Sequence, residues 1–462
     1  MAELRLDEIA LRTGGRIVQG DPTTVFGSFN IDSRLSRPGE LFFAIVAKRN
    51  GHDFVLDAFA KGARGAVVSQ DLSPASTGLA LVLVEDTVSA LQTLARSVLT
   101  EQEPTVVGIT GSIGKTTTKE FTSELLSARF KVLKSEGNFN NQLGLALSLL
   151  KLQKGQQVAV LEMGTSGPGE IRTLTRIAPP DIAVITNINP VHLEFFPSLE
   201  DIASAKKEIL DGAKTGATAV LNGDDPLVQK IGRDWTGRRI TFGLSPARDV
   251  RASAVRKLGL DGMAFNLRLD GKSKDVRVPF LYEEYLYNLL AAVGACHALS
   301  FPFESIIDGI PRLSLLPGRG APVPLGRGLL LIDDSYNSSP RALEAALKGL
   351  APLPARRKVA VLGDMLELGP EEAEMHRRAG RQVAGNGWKL LLTVGPLARF
   401  IAEGAQAAGL PGARVATFST SEEAAAGIPA LIQEGDLILV KGSRGVRMEQ
   451  VVQRLKDKFK EI

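Results

Sequence analysis

Short apolar runs punctuated by turns dominate the first hundred residues: "ELFFAIVA", "GAVVS" and "LALVLVE". "TVSALQTLARSVL" then spaces its apolar positions as a helix does, and "TEQEPT" breaks the pattern at Pro104. Beyond the break, "TVVGIT", "QVAVLEM", "DIAVITNI" and "ATAVLN" have the length and β-branched content of strands buried on both faces. "KTTTKEFTSELLSA" and "NQLGLALSLLKL" place helices between them, an alternation that predicts parallel βαβ units. From 245 to 280 the pattern turns polar and β-rich. A helix with Asn288 follows, and "SLLPGRGAPVPLGRG" reads as a second linker. The βαβ alternation resumes with "LLLIDDS", "KVAVLGD", "KLLLTVG", "RVATF" and "DLILVKGS". The expected fold is α/β in three domains, a small α/β domain at 1–100, a central domain with a mostly parallel sheet at 101–317 and a Rossmann-like domain at 318–462.

Composition adjusts this picture little. With 462 residues, 44% of them apolar, the chain can bury several cores, since domains average roughly 100–200 residues. Lys and Arg number 55 against 51 acidic residues, a scattered excess of four that argues against nucleic acid. The single cysteine, Cys296, excludes an internal disulfide. No apolar run reaches the roughly 18 residues that span a bilayer, and the N-terminus lacks a signal-type apolar core. A cytoplasmic protein without membrane insertion is expected. Nothing in the pattern demands an oligomer, so a monomer is expected.

The chemistry starts at "VVGITGSIGKTTTKE". An apolar strand runs into a glycine-rich turn that opens a helix near Lys115. Such a turn aims backbone N–H groups and the helix N-terminus at an anion. Lys115 adds charge for terminal phosphates, and Thr116 is a candidate Mg²⁺ ligand. The glycines stand at 108, 111 and 114, with Ile109 where the commonest phosphate-loop pattern has its first glycine.

In "SLEDIASAKKEILDGA", Lys206 falls near the middle of the apolar arc, at about 100° per residue. Two readings stand: a snorkelling side chain, or a lysine facing a site where desolvation lowers its pKa. Glu162 and His192 each follow a predicted strand, where open parallel sheets bind ligands, so both are candidate metal ligands beside Thr116. "LLLIDDSYNSSP" runs a strand into Asp333 and Asp334, suited either to ribose hydroxyls or to capping a turn. "VLGDMLELG" has the same form, with Asp364 and Glu367.

Together with "GNFNNQLG", "LPGRG" and "VKGSRGVRME", these stretches stand in the order found in the Mur ligases, which the chain resembles over nearly its whole length. The Mur ligases are ATP-dependent amide-forming enzymes of peptidoglycan synthesis. The resemblance is strongest to the branch that joins D-alanyl-D-alanine (D-Ala-D-Ala) to UDP-N-acetylmuramoyl-tripeptide. It implies that 1–100 binds the UDP-substrate and 101–317 binds ATP. Gly111, Ser112, Gly114, Lys115, Thr116 and Thr117 would then hold ATP phosphates. Asn288, Arg319 and Asp334 would contact adenine, ribose or phosphate. Thr116, Glu162, His192 and Lys206 would serve two Mg²⁺ ions, Lys206 as a carbamate. Catalysis would fall to Lys115, Lys206 and His192. Ser33, Arg34, Asn50, Gly51 and His52 match the UDP end, and Asn138, Asn140 and Asn141 the muramoyl-peptide. Tyr282 and Glu284 replace the usual Gly and His of the adenine motif, and Ser338 and Ser339 replace an Ala-Asn pair. A Mur-type ligase adding a single amino acid, or a nucleotide-binding switch, is the alternative.

Overall fold

The computed structural model describes residues 3–72, 79–191 and 193–460. Three large sheets succeed one another along the chain, the second and third with the βαβ alternation the sequence predicts.

The first sheet orders its strands Arg16–Gln19, Ala80–Leu83, Gly65–Val68, Leu41–Phe43 and Phe29–Asn30, parallel except for the first pair. Helix Thr87–Gln102 leaves this unit capped by Asp86 and packs its buried face, including Leu91, Leu94 and Val98, toward the central unit.

The central sheet has nine strands. In spatial order they are Lys272–Val278, Met263–Leu269, Val250–Lys257, Arg239–Gly243, Thr218–Asn222, Ile182–Ile185, Thr105–Thr110, Val158–Glu162 and Val132–Lys134. The last seven in that order are mutually parallel, and the polar 250–278 stretch adds the antiparallel strands at the far edge. The chain begins this sheet in its interior at Thr105–Thr110. It builds outward to one side, then crosses back to Ile182–Ile185. The end of Thr105–Thr110 is therefore a topological switch point, where a crevice opens between diverging connections. Cys296 is fully buried in helix Glu283–Ala298, and burial pushes its thiol pKa up.

The third sheet orders Ala321–Leu325, Leu329–Asp334, Asp436–Lys441, Arg357–Gly363, Leu390–Val394 and Val415–Phe418, parallel after an antiparallel first pair. Leu343, Leu347 and Leu350 of helix Pro340–Leu350 share one continuous core with Leu286 and Leu289 of helix Glu283–Ala298. The third unit is thus seated against the central one, over the switch point. Among the described residues, no helix is long and apolar enough to cross a membrane.

Candidate active site

The odd glycine spacing has a geometric reason. Ile109 lies inside the central strand and is fully buried, so no glycine is needed there. The turn begins at Gly111, with φ 147°, where a Cβ would lie 1.9 Å from Thr186 Oγ1. It ends at Gly114, with φ 88°, where a Cβ would lie 2.1 Å from Asn288 Oδ1. The loop is pinned from the neighbouring strand end. Asn187 accepts the N–H of Ser112 on its carbonyl and that of Ile113 on its side chain, each at 3.0 Å. Ser112 Oγ donates to the Asn189 carbonyl at 3.0 Å and accepts the Asn189 N–H at 2.9 Å. With those N–H groups committed, the anion-facing donors are the first N–H groups of helix Lys115–Leu126, which have no partner within the helix. Gly114→Ala is expected to raise the KM for ATP by about tenfold or more, since both the left-handed φ and the Asn288 contact oppose a Cβ. Initial rates against ATP concentration check this, and an unchanged KM would contradict it.

Lys115 Nζ donates to the carbonyls of Gly111 at 2.8 Å and Ser112 at 3.3 Å, so it already lies over the loop. Burial lowers its pKa, with Glu162 opposing and Arg319 adding to the shift. Glu162 ends its strand almost fully buried. Its Oε1 accepts Asn140 Nδ2 at 2.9 Å, and its backbone N–H donates to Ser135 Oγ at 3.0 Å. Its Oε2 is buried, with no hydrogen-bond partner among the described residues. A lone carboxylate oxygen, oriented by its twin and fully desolvated, fits a divalent cation.

The third unit contributes across a cleft of about 360 Å³. Arg319 Nη2 donates to Thr116 Oγ1 at 3.2 Å, and its guanidinium stacks 4.1 Å above the Tyr336 ring. Thr116 thus keeps only part of its acceptor capacity for a metal. Asp334 and Lys441 end adjacent parallel strands in register and pair at 2.8 Å, both buried. Burial raises the Asp334 pKa, and Lys441 opposes the shift. Asp334 caps no helix; Ser339 caps Pro340–Leu350 instead. Asp333 bonds Ser335 Oγ at 2.6 Å, a local turn.

The cleft gathers Ser112, Gly114, Lys115, Thr116, Thr117, Asn138, Asn140, Glu162, Asn288, Arg319 and Asp334. Tyr282 and Glu284 line it too. Gly111 shapes the turn from behind. Asn141 does not line the cleft, and its Oδ1 accepts the Gly144 N–H at 2.9 Å as the N-cap of helix Gln142–Leu149. His192 lies outside the described residues.

Lys206 does not snorkel. It is 1% exposed in helix Leu199–Asp211. Among the described residues, no hydrogen-bond or ion-pair partner reaches its ammonium. Burial drives its pKa well down, the Lys115 charge adds to this, and Glu170 and Glu208 oppose. Glu208 is otherwise engaged, accepting the Gly169 N–H at 2.8 Å and the Arg172 N–H at 2.9 Å.

The matched residues of the first unit lie apart, in the five-stranded-sheet unit, where Asn50 and His52 bond each other. His52 Nε2 accepts the Ser69 N–H at 2.9 Å, which leaves the proton on Nδ1 for Asn50 Oδ1 at 2.7 Å. Burial lowers the His52 pKa, consistent with a neutral ring. A Cβ on Gly51 would lie 2.5 Å from the Ile45 backbone. Ser33 is buried, and exposed Arg34 pairs with Asp32 at 2.6 Å.

Sequence reasoning missed Lys441, Arg341 and Tyr336. Lys441 was signalled by a charge closing the apolar run "DLILVK". Arg341, which donates to Asn189 Oδ1 at 2.5 Å, had no local signal because its role arises only when two units meet, and Tyr336 had none because its partner Arg319 is distant in the chain.

A glycine-shaped anion cradle at a switch point, faced across a cleft by a second α/β unit, is the architecture of a phosphate-binding α/β protein. The Mur ligase middle domain matches residues 109–296 and the Mur ligase, glutamate ligase domain matches 318–444, and the chain belongs to the Mur ligase family. It is 35% identical to the UDP-N-acetylmuramoyl-tripeptide--D-alanyl-D-alanine ligase of Bacillus subtilis (strain 168), covering 94% of this chain and 93% of that one. It is 32% identical to the enzyme of the same name from Escherichia coli (strain K12), covering 99% of each. Among solved structures, MurF from Acinetobacter baumannii superposes with TM-score 0.90 at 31% identity, covering 99% of both chains. The MurF ligase of Thermotoga maritima in complex with ADP gives TM-score 0.81 at 32% identity, covering 93% of this chain and 97% of that one.

Proposed function

We propose that this chain joins D-Ala-D-Ala to the terminal carboxylate of UDP-N-acetylmuramoyl-tripeptide, with ATP converted to ADP and phosphate. The observation that carries the reading is the cleft that sets Lys115 and Glu162 against Arg319 and Asp334, in a chain matched end to end by ligases of that name. The domain limits 1–100, 101–317 and 318–462 belong to the same proposal, as do a monomeric state and a cytoplasmic location.

A carboxylate is a poor acyl donor because oxide is a poor leaving group. A carboxylate oxygen attacks the γ-phosphorus, ADP departs, and an acyl phosphate forms. The dipeptide amine then attacks the acyl carbon and expels phosphate, giving the amide. The helix N-terminus and Lys115 hold the terminal phosphates, and Lys115 offsets charge on the transferring group. Arg319 reaches the same phosphates from the third unit, and Asp334, fixed by Lys441, accepts ribose hydroxyls. Asn138 and Asn140 contact the peptide substrate. Ser33, Arg34, Asn50, Gly51 and His52 shape the UDP end. Glu162 and Thr116 would hold one Mg²⁺, and carbamylated Lys206 would support a second. Mg²⁺ supplies positive charge to the phosphoryl oxygens. The buried Glu162 oxygen and the buried Lys206, neither with a partner among the described residues, both fit this assignment.

Mass spectrometry of the product tests the reading. The expected mass is that of the UDP-tripeptide plus the dipeptide less one water. Addition of a single amino acid in preference to the dipeptide would overturn it.

A further inference from the structure

The phosphate-loop stretch ends in "KE", and those two residues have no part in the chemistry above. Lys119 lies one turn beyond Lys115 in the same helix, yet its side chain is wholly buried. A buried ammonium is expensive unless all its protons are placed. Here all three are placed. Nζ donates to the Ser135 carbonyl at 2.6 Å and the Gly137 carbonyl at 3.3 Å, and it pairs with Glu120 Oε1 at 3.1 Å. The other Glu120 oxygen takes Lys134 at 2.5 Å.

Both carbonyls belong to the loop that follows edge strand Val132–Lys134 and leads to Asn138 and Asn140. Its other anchors hold its two ends to the neighbouring strand, where the Ser135 N–H donates to the Val160 carbonyl at 3.1 Å and the Gly164 N–H to the Asn140 carbonyl at 2.9 Å, and leave the bend at Gly137 and Asn138 to Lys119. Gly137 sits at φ 49° with open space around it, and Asn138 is exposed. Glu162, fixed in its own strand, meets the same loop through Ser135 Oγ on its backbone N–H and Asn140 Nδ2 on its carboxylate. One rigid helix therefore presents Lys115 to the phosphate side and Lys119 to the peptide side.

We infer that Lys119 is a positioning residue that locks the 135–140 loop to the phosphate-loop helix, so that the peptide-substrate contacts are set relative to the bound nucleotide. The inference rests on the proposed reading of Asn138 and Asn140 as peptide contacts.

The test is steady-state kinetics of the full chain bearing Lys119→Met, which keeps the side chain's length but donates nothing. The expected result is a KM for the UDP-tripeptide raised roughly ten- to a hundredfold, as for loss of a residue that orients ligands, with the KM for ATP within about twofold of wild type. A purely structural role would raise both together or neither, and either outcome overturns the inference. Should the methionine variant fail to fold, Glu120→Gln decides. It leaves the ammonium in place but weakens its anchor, and the same one-sided KM rise is expected at smaller size; no rise sinks the inference. Asn138→Ala runs alongside. If it raises that KM while both lock variants do not, the loop reading stands and the lock is wrong. If it leaves the KM unchanged, the loop reading fails and takes the lock with it.

Discussion

Lys206→Ala is expected to abolish ligation, with partial recovery when a short carboxylate such as formate is supplied. The argument begins with cost. An ammonium that is 1% exposed, beside the Lys115 charge and without a hydrogen-bond partner among the described residues, is a poor way to fill a core. Helix Leu199–Asp211 would pack as well around methionine. The neutral amine is the form that the site favours, and the neutral amine adds CO₂ to give a carbamate with release of a proton. Because the pKa is lowered, the native state binds fewer protons than the unfolded chain between the lowered value and lysine's usual one. Lys206 therefore costs stability at and below that window, and the cost fades as pH rises through it. Carbamylation should follow the same direction, increasing with pH. Carbon-13 NMR of protein equilibrated with labelled bicarbonate checks the modification separately from activity, and its absence in wild type would remove the carbamate from the account. Near-normal activity in the alanine variant would reduce Lys206 to a packing residue.

Lys115→Met should lower kcat/KM by on the order of a hundred- to a thousandfold, the range for loss of one preorganised charge at a transferring group. Its thermal midpoint should barely change, because among the described residues Nζ bonds only carbonyls of its own loop. The pH profile offers a finer check. The ammonium is needed charged, and burial lowers its pKa, so wild-type rate should fall on the alkaline side earlier than an ordinary lysine would allow. A high-pH limb unchanged in the methionine variant would assign that ionisation elsewhere.

Much of the fold was legible because its strands are buried on both faces, and such runs stand out: "TVVGIT" became Thr105–Thr110 and "LLLIDDS" became Leu329–Asp334. The loop and its lysine were equally plain, since strand, glycines and helix are contiguous. Periodicity placed Lys206 on the apolar face but could not tell snorkelling from burial; that depends on what packs over the helix. Asn141 shows the opposite difficulty. An asparagine before an apolar helical run is as good an N-cap as a substrate contact, and the hydrogen bond to Gly144 is visible only in three dimensions. Asn50 and His52 likewise bond each other, and His52 accepts the Ser69 N–H, pairings that no spacing rule announces. Arg319 on Thr116 and Arg341 on Asn189 join residues that are 203 and 152 positions apart. The half of the cleft that comes from the third unit was therefore the part least readable from local pattern.

The central claim is that nucleotide turnover is coupled to amide formation. The most direct measurement is phosphate release from ATP with UDP-N-acetylmuramoyl-tripeptide present, followed with and without D-Ala-D-Ala. Sustained release that requires the dipeptide and matches amide formed one for one is the predicted result; equal release without the dipeptide would contradict the account.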